Sequence, residues 1–227
     1  MQIRVVTDQP WDVPADVLAI PMTGEPSFDG PLGELDRRSG GEIQSLVTFG
    51  EIRGKRFATA VAVAGEIAAD RLLAVGLGET ETIDREAVVR IAAAVQRRLA
   101  GRVVRRLAIW ITPLADALDG DAATAAEMVA RGALEGSYDP RTIYLDDVKT
   151  APPVLDELVI VAPDADRAAL TAAADRGLIM AEGANLARTL ANRASNDLSP
   201  VVMADEARAI AEQHGLWIDV IEPDRAT

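Results

Sequence analysis

The chain has 227 residues, of which 49% are hydrophobic and 26% are charged, and these are the proportions of an ordinary globular protein. The absence of cysteine excludes disulfides and thiolate chemistry, and no segment offers the roughly 18 uncharged apolar residues that a membrane span needs. A formal net charge of −13 opposes binding to a phosphate backbone, although Arg97–Arg106 is rich in arginine. We therefore expect a cytoplasmic protein without a signal peptide, a membrane contact or a nucleic-acid partner.

Short β-branched runs bounded by Asp, Pro or Gly predict six strands. The first two are expected to form a hairpin-like pair, which favours a mixed sheet over a purely parallel one. In chain order the predicted strands are Gln2–Val6, Asp16–Met22, Arg56–Gly65, Arg71–Glu79, Val104–Thr112 and Leu155–Asp164.

Apolar residues at three- and four-residue steps predict helices over Ile83–Leu99 and Asp121–Leu134. A long alanine-rich helix follows from Asp164, its predicted N-cap, to Asn192. The alternation of strands and helices predicts an α/β fold with a mixed sheet flanked by helices. A further helix up to Gly215 and a strand over Leu216–Glu222 look like the first unit of a second domain.

Candidate residues for catalysis or metal binding are few. The single histidine, His214, lies in the last turn of its predicted helix, where a partly cationic imidazole complements the helix dipole. Asp146 and Asp147 are adjacent in sequence and would point to opposite faces of a strand. Asp164 and Asp166 are explained as a helix cap and a first-turn acid. No catalytic residue and no metal ligand is predicted.

Two glycine-rich segments follow predicted strands, where a phosphate could meet helix amides. The segment "GLGETET" lacks the third glycine of a dinucleotide fingerprint and has no phosphate-loop lysine, and its glutamates would repel an anion. The segment Thr23–Gly41 could line a pocket, and loop flexibility explains its composition equally well. The candidate pocket residues are Thr23, Gly24, Gly30 and Gly33.

The stretch "TLANRASNDLSP" concentrates polar, turn-forming side chains between two helical segments. Pro200 suits the first helical position with Ser199 as the N-cap. Asn192 and Asn196 are residue types whose side chains bond to the nearby backbone. We predict that these four residues form a joint that closes one helix, turns the chain and caps the next.

Several motifs taken in order resemble one known family. The segments "GPLGELDRRSGGEI", "LLAVGLGE", "IDREAVVRIAAAVQRRL" and "ARGALEGSYDPRTIYLDDVKT" resemble the N-terminal region of the leucine aminopeptidase (cytosol aminopeptidase) family. The run from Ala187 to Pro200 is similar to the passage of that family into its catalytic domain. It departs from the family at Arg193, Ala194 and Ser195, where members commonly have prolines.

The resemblance implies a two-part protein: a macro-domain-like α/β domain in three layers, followed by a catalytic domain that binds two divalent cations, Mn²⁺ or Zn²⁺. The family's metal-binding motifs, Asp-Thr-Gly-Gly and Asn-Thr-Asp-Ala-Glu-Gly-Arg, do not occur in this sequence. Residues 1–163 would then form the macro-like domain, 164–192 a linker helix, and 193–227 the beginning of the catalytic domain. No cofactor is expected within this chain.

The resemblance also implies a function without catalysis. The chain would be the N-terminal domain of a cytosolic leucyl aminopeptidase, and it would serve assembly and access to the active site. Its partners would be its own catalytic domain and the sister subunits of a homo-hexamer. Two alternatives remain open: a macro-type module that binds ADP-ribose or another nucleotide in the Thr23–Gly41 loop, and a nucleic-acid-binding regulator, which the charge opposes.

Overall fold

A computed structural model describes residues 1–52, 55–145, 155–221 and 225. Six strands form one sheet: β1 (Gln2–Val6), β2 (Val17–Thr23), β3 (Thr59–Val63), β4 (Arg71–Gly78), β5 (Arg106–Trp110) and β6 (Glu157–Val161). The helices are α1 (Pro31–Arg38), α2 (Glu42–Phe49), α3 (Arg85–Leu99), α4 (Thr112–Asp116), α5 (Ala122–Gly136), α6 (Arg167–Asn192) and α7 (Pro200–His214). Short 3₁₀ turns lie at Pro10–Asp12, Thr80–Thr82 and Pro140–Tyr144.

The sheet has the strand order β1-β6-β5-β2-β4-β3, and only the β3–β4 pair is antiparallel. The predicted mixed α/β sheet flanked by helices is therefore confirmed. The predicted pairing of the first two strands is wrong, because β1 pairs with β6 while β2 lies between β5 and β4. Every residue from Val17 to Met22 is buried, which is typical of a central parallel strand whose faces are both covered.

The core has two halves, one on each face of the sheet. Alternate residues along β5 point to opposite faces, so that Leu107 and Ile109 pack with α3, α5 and the start of α6. Ala108 and Trp110 pack on the other face with residues of α1 and α2, including Leu35 and Ile43. All four of these β5 side chains are buried.

Glycines allow three helices to pack closely over one face of the sheet. A Cβ atom on Gly132 in α5 would lie 2.2 Å from the carbonyl oxygen of Val89 in α3. A Cβ atom on Gly177 in α6 would lie 2.2 Å from the carbonyl oxygen of Glu127 in α5. The first half of α6 is therefore part of the cover of the sheet. None of the described helices, α6 included, is both long and apolar enough to cross a bilayer.

Three local expectations are wrong. The predicted loop at Thr23–Gly41 contains the helix α1, which begins at Pro31. The N-cap of α6 is Asp166, whose carboxylate accepts the amides of Ala168 and Ala169, whereas Asp164 lies before the helix with a φ of 61°. Residues 216–221 of the predicted last strand are irregular, and position 222 lies outside the described residues.

Candidate functional site

The C-terminal end of α5 is capped by side chains from α6. The last carbonyl groups of a helix have no partner within it, and they need donors from elsewhere. Asn185 donates Nδ2 to the carbonyl oxygen of Leu134 at 3.1 Å, and Arg188 donates Nη1 to that of Glu135 at 3.2 Å. Arg188 also donates Nη2 to the Glu135 carboxylate at 2.8 Å. These bonds fix the second half of α6 against the end of α5.

Two tyrosines connect the segment after α5 to the end of α6. The Arg188 guanidinium lies 5.9 Å from the centre of the Tyr138 ring, within the range of a cation–π contact. Asn192 donates Nδ2 to the carbonyl oxygen of Arg188 at 2.8 Å and to the hydroxyl of Tyr138 at 3.4 Å. The hydroxyl of Tyr144 accepts the backbone amide of Ala194 at 2.6 Å. The chain therefore leaves α6 along a surface formed by the 3₁₀ turn and its flank.

Arg193 is the centre of the joint. Its guanidinium donates to both carboxylate oxygens of Asp197, at 2.8 and 3.1 Å, and to Glu206 in α7 at 2.8 Å. Bidentate pairs of this kind fix orientation as well as distance. The bonds to Asp197 and Glu206 raise the pKa of Arg193. The bond from Arg193 holds the pKa of the Asp197 carboxyl below its usual value, against an opposing effect of burial.

The four predicted joint residues are near one another in sequence, but they contribute unequally. Asn192 closes α6 as described above, and Ser199 is the N-cap of α7, accepting the Val202 amide at 3.4 Å, with Pro200 in the first turn. Asn196 is exposed, and its side chain makes no hydrogen bond within the described residues. Whether these residues join two domains stays a prediction. The ion pair of Arg193 with Glu206 was missed because the two residues are 13 positions apart, and the pair with Asp197 was missed because its four-residue spacing indicates a pair only within a helix.

The four predicted pocket residues lie apart from this joint. Thr23 ends β2, Gly24 follows it, and Gly30 precedes α1 with a φ of 76°. Gly33 lies within α1, and a Cβ atom there would come within 1.9 Å of the carbonyl oxygen of Phe28. The structure thus gives Gly33 a packing reason, and a ligand pocket in this segment stays a prediction.

The candidate metal ligands do not come together. Across the described ranges, no three residues among His, Asp and Glu are grouped so as to hold a cation. His214 is exposed at the end of α7, and Asp146 and Asp147 lie outside the described residues. The described part of the chain does not offer the donor set of a two-metal site.

Side-chain burial falls sharply after Ala181. We call residues 1–181 the sheet body and residues 182–221 the outer segment. Ala211 is the only buried residue of the outer segment, while large apolar side chains there are exposed. Trp217 has 88% of its surface accessible, and Val201 has 68%. The other exposed apolar residues at or near this segment are Ile179, Met180, Leu186, Met203, Leu216, Ile218 and Ile221.

Comparison with known proteins identifies the family. Residues 19–142 match the sequence model of the cytosol aminopeptidase family, N-terminal domain. The chain belongs to the cytosol aminopeptidase family. The matched region runs from β2 into the 3₁₀ turn at Pro140–Tyr144 and covers more than half of the chain. The resemblance inferred from the motifs is therefore confirmed.

Curated relatives extend the similarity over nearly the whole chain. A probable cytosol aminopeptidase of Roseiflexus castenholzii is 33% identical over 230 residues, covering 98% of this chain and 43% of that protein. One from Solibacter usitatus is 30% identical over 225 residues, covering 99% of this chain and 42% of that protein. The chain thus spans less than half the length of these family members.

Solved structures show the same fold. A mutant of tomato leucine aminopeptidase matches with a TM-score of 0.79 and 20% identity, over 95% of this chain and 43% of that one. The bottromycin maturation enzyme BotP matches with a TM-score of 0.62 and 29% identity, over 89% of this chain and 38% of that one. In both, the similar region is the smaller part of the protein.

Proposed function

We propose that this chain is the non-catalytic N-terminal part of a cytoplasmic leucyl aminopeptidase and that it serves assembly and access to the active site. Residues 193–227 would begin the catalytic domain, and the rest of it would lie in the part of the family protein beyond the region that this chain matches. That domain would hold two divalent cations, Mn²⁺ or Zn²⁺, and would release N-terminal amino acids from peptides. Sister subunits would complete a homo-hexamer.

The exposed apolar side chains of the outer segment carry the proposal. Contiguous exposed apolar surface marks a site of interaction. Trp217 and Val201 are more than two-thirds exposed, although the core of the sheet body is closed. Arg193 bonds to Glu206 of α7 within the outer segment, Tyr144 of the sheet body bonds to Ala194 and Asp197, and these polar contacts leave the apolar surface open. We assign the surface to contact with the catalytic domain.

The first test is activity. The 227-residue chain supplied with Mn²⁺ or Zn²⁺ is expected to show no hydrolysis of a leucine anilide, because the described residues lack a grouped set of ligands. The positive control is the complete Roseiflexus castenholzii relative, assayed with the same cations. Metal-dependent turnover by the chain alone would overturn the non-catalytic assignment.

The second test is docking. The chain is mixed with the separately produced C-terminal part of the Roseiflexus relative, and binding is followed by isothermal titration calorimetry. We expect saturable binding, which the double variant W217A/I218D abolishes. The matched control is Phe49→Asp, because Phe49 is 81% exposed on α2, which belongs to the sheet body. Equal loss of binding in this control would contradict an assembly role for the outer segment.

A further inference from the structure

A cleft of about 710 Å³ opens at the edge of the sheet where β2, β4 and β5 begin. This edge is opposite the one at which β2 ends in Thr23 and enters the glycine-rich segment. Four arginines and two aspartates supply the charged groups of the cleft, so that cations are in excess. The charged lining residues are Arg71, Arg98, Arg102, Arg105, Asp16 and Asp70.

Three of these arginines have no ion pair within the described residues. Among the residues that the structure describes, the Arg98 side chain has no partner, and Arg102 donates only to the carbonyl oxygen of Arg98, at 3.4 Å. Arg71 donates only to the carbonyl oxygen of Asp70, at 2.8 Å. Arg105 reaches the Asp156 carboxylate at 3.4 Å, and both side chains are at least 60% exposed. Asp16, Asp70 and Asp156 offset part of this charge, so the cleft keeps a small positive excess, carried by guanidinium groups that have no ion pair within the described residues.

Neighbouring arginines are neutralised in the usual way. Glu157 accepts from Arg4 at 2.8 Å and from Arg106 at 2.5 Å. Asp16 lowers the net positive charge of the cleft but forms no ion pair there within the described residues, because its Oδ2 accepts the backbone amides of Arg105 and Arg106, at 2.5 and 2.9 Å. The chain has 36 acidic and 23 basic residues, so carboxylates are in excess. The clustering of guanidinium groups without ion pairs in this cleft therefore suggests a binding role.

The dipole at the C-terminal end of α3 explains the position of only one of these arginines. Arg98 lies in the last turn of α3, where a cation complements the negative end of the helix dipole. Arg71 begins β4 and Arg105 precedes β5, so neither gains from that dipole. Three separate chain segments thus direct arginines into one cleft.

The cleft also has apolar walls. Val17 and Leu99 are buried at its base, whereas Val61 is 41% exposed and Val103 is 84% exposed. A small inorganic anion would leave the two exposed valines in water. An organic group attached to the anion would cover them and gain the free energy of burying apolar surface.

We propose that this cleft binds a small organic polyphosphate. Arg98 and Arg102 hold the phosphates, Arg71 adds a further donor, and the organic group packs against Val61 and Val103. Guanidinium forks match phosphate oxygens in geometry and charge. A small ligand suits the site better than a nucleic acid, because the rest of a chain with a net charge of −13 repels a long phosphate backbone.

The test is calorimetry of ATP and of tripolyphosphate with the 227-residue chain in magnesium-free buffer. ATP is expected to bind saturably and more tightly than tripolyphosphate, because only ATP can cover the valines. Arg98→Gln and Arg102→Gln are each expected to weaken ATP binding by about tenfold or more, since each removes charge-assisted bonds to phosphate.

The matched control is Arg97→Gln, which makes the same change one residue earlier on α3, outside the cleft lining. It is expected to leave the affinity within about twofold. No ATP binding at millimolar concentration, or equal weakening by the control, overturns the proposal. Equal affinity for tripolyphosphate overturns the role of the apolar walls. A single-stranded oligonucleotide that binds more tightly than ATP, and is lost in the Arg98 and Arg102 variants, overturns the small-molecule assignment.

Discussion

The sheet body and the outer segment are held in place by different contacts. In the sheet body, helices pack on both faces of the sheet, and side chains such as Leu107 and Leu158 are fully buried. In the outer segment, polar bonds from Arg188 and Arg193 provide the order, and apolar side chains face outward. The sheet body is held by contacts between buried apolar side chains, whereas the outer segment is held mainly by polar bonds and leaves large apolar side chains exposed.

The same leucine-to-alanine change made in each region tests the difference in packing most strongly. Leu107→Ala leaves a cavity in the core and is expected to lower the free energy of unfolding by about 2–5 kcal/mol. Leu216→Ala removes a side chain that is 59% exposed and is expected to change it by less than about 0.5 kcal/mol. Urea unfolding followed by circular dichroism measures both. A comparable loss in the two variants would mean that the outer segment is packed as tightly as the sheet body.

Within the outer segment, a second pair of substitutions compares the polar side chain that caps α7 with a nearby exposed polar side chain that does not. Ser199→Ala removes the side-chain acceptor at the N-terminus of α7 and is expected to cost about 1 kcal/mol of local helix stability. Asn196→Ala, three residues earlier, is expected to cost less than a few tenths of a kcal/mol, because the exposed Asn196 side chain makes no hydrogen bond to any residue that the structure describes. Amide hydrogen exchange in the first turn of α7 reports the difference. Equal effects would contradict the assignment of the joint to Ser199 and Arg193.

The α/β architecture was predictable because its signals are local. Strand runs such as the one in β4 and the helical period of α3 are visible within a few residues of sequence. The strand order was not predictable in the same way, because it depends on pairing between strands that are far apart in sequence, such as β1 and β6. The short helix α1 was missed because its eight residues begin at Pro31 and include Gly33, residue types that usually indicate a loop.

The turn between α6 and α7 was predictable in position and only partly in chemistry. Ser199 and Pro200 form a local capping signal that is legible in sequence. The bonds of Tyr144 to Ala194 and of Arg193 to Glu206 join positions 50 and 13 residues apart, and no spacing rule indicates them. The arginine cleft was not predicted for the same reason, because Arg71 and Arg98 are far apart in sequence and line the same cleft only in the folded chain.

Low pH is expected to weaken the joint, and this is the smallest of the expected effects. It tests whether the Asp197 carboxylate stabilises the outer segment. The pKa of Asp197 is lowered in the folded chain, so its stabilising contribution is present above the unfolded pKa of about 3.9 and is lost as the pH falls through the lower folded value. Hydrogen exchange of the Ala194 amide, corrected for the intrinsic pH dependence, is expected to quicken in that range. This amide is bonded to the Tyr144 hydroxyl, which also contacts Asp197.

Arg193→Gln is the control for this acid effect, because it removes the main cause of the lowered pKa of Asp197. In that variant the Ala194 amide should exchange faster at neutral pH and should respond less to acid. The core amides of β5 should stay protected in both proteins over the same range, since they belong to the sheet body. An acid response of unchanged size in Arg193→Gln would show that some other carboxylate controls the joint, and the contrast between the two regions would then need another electrostatic origin.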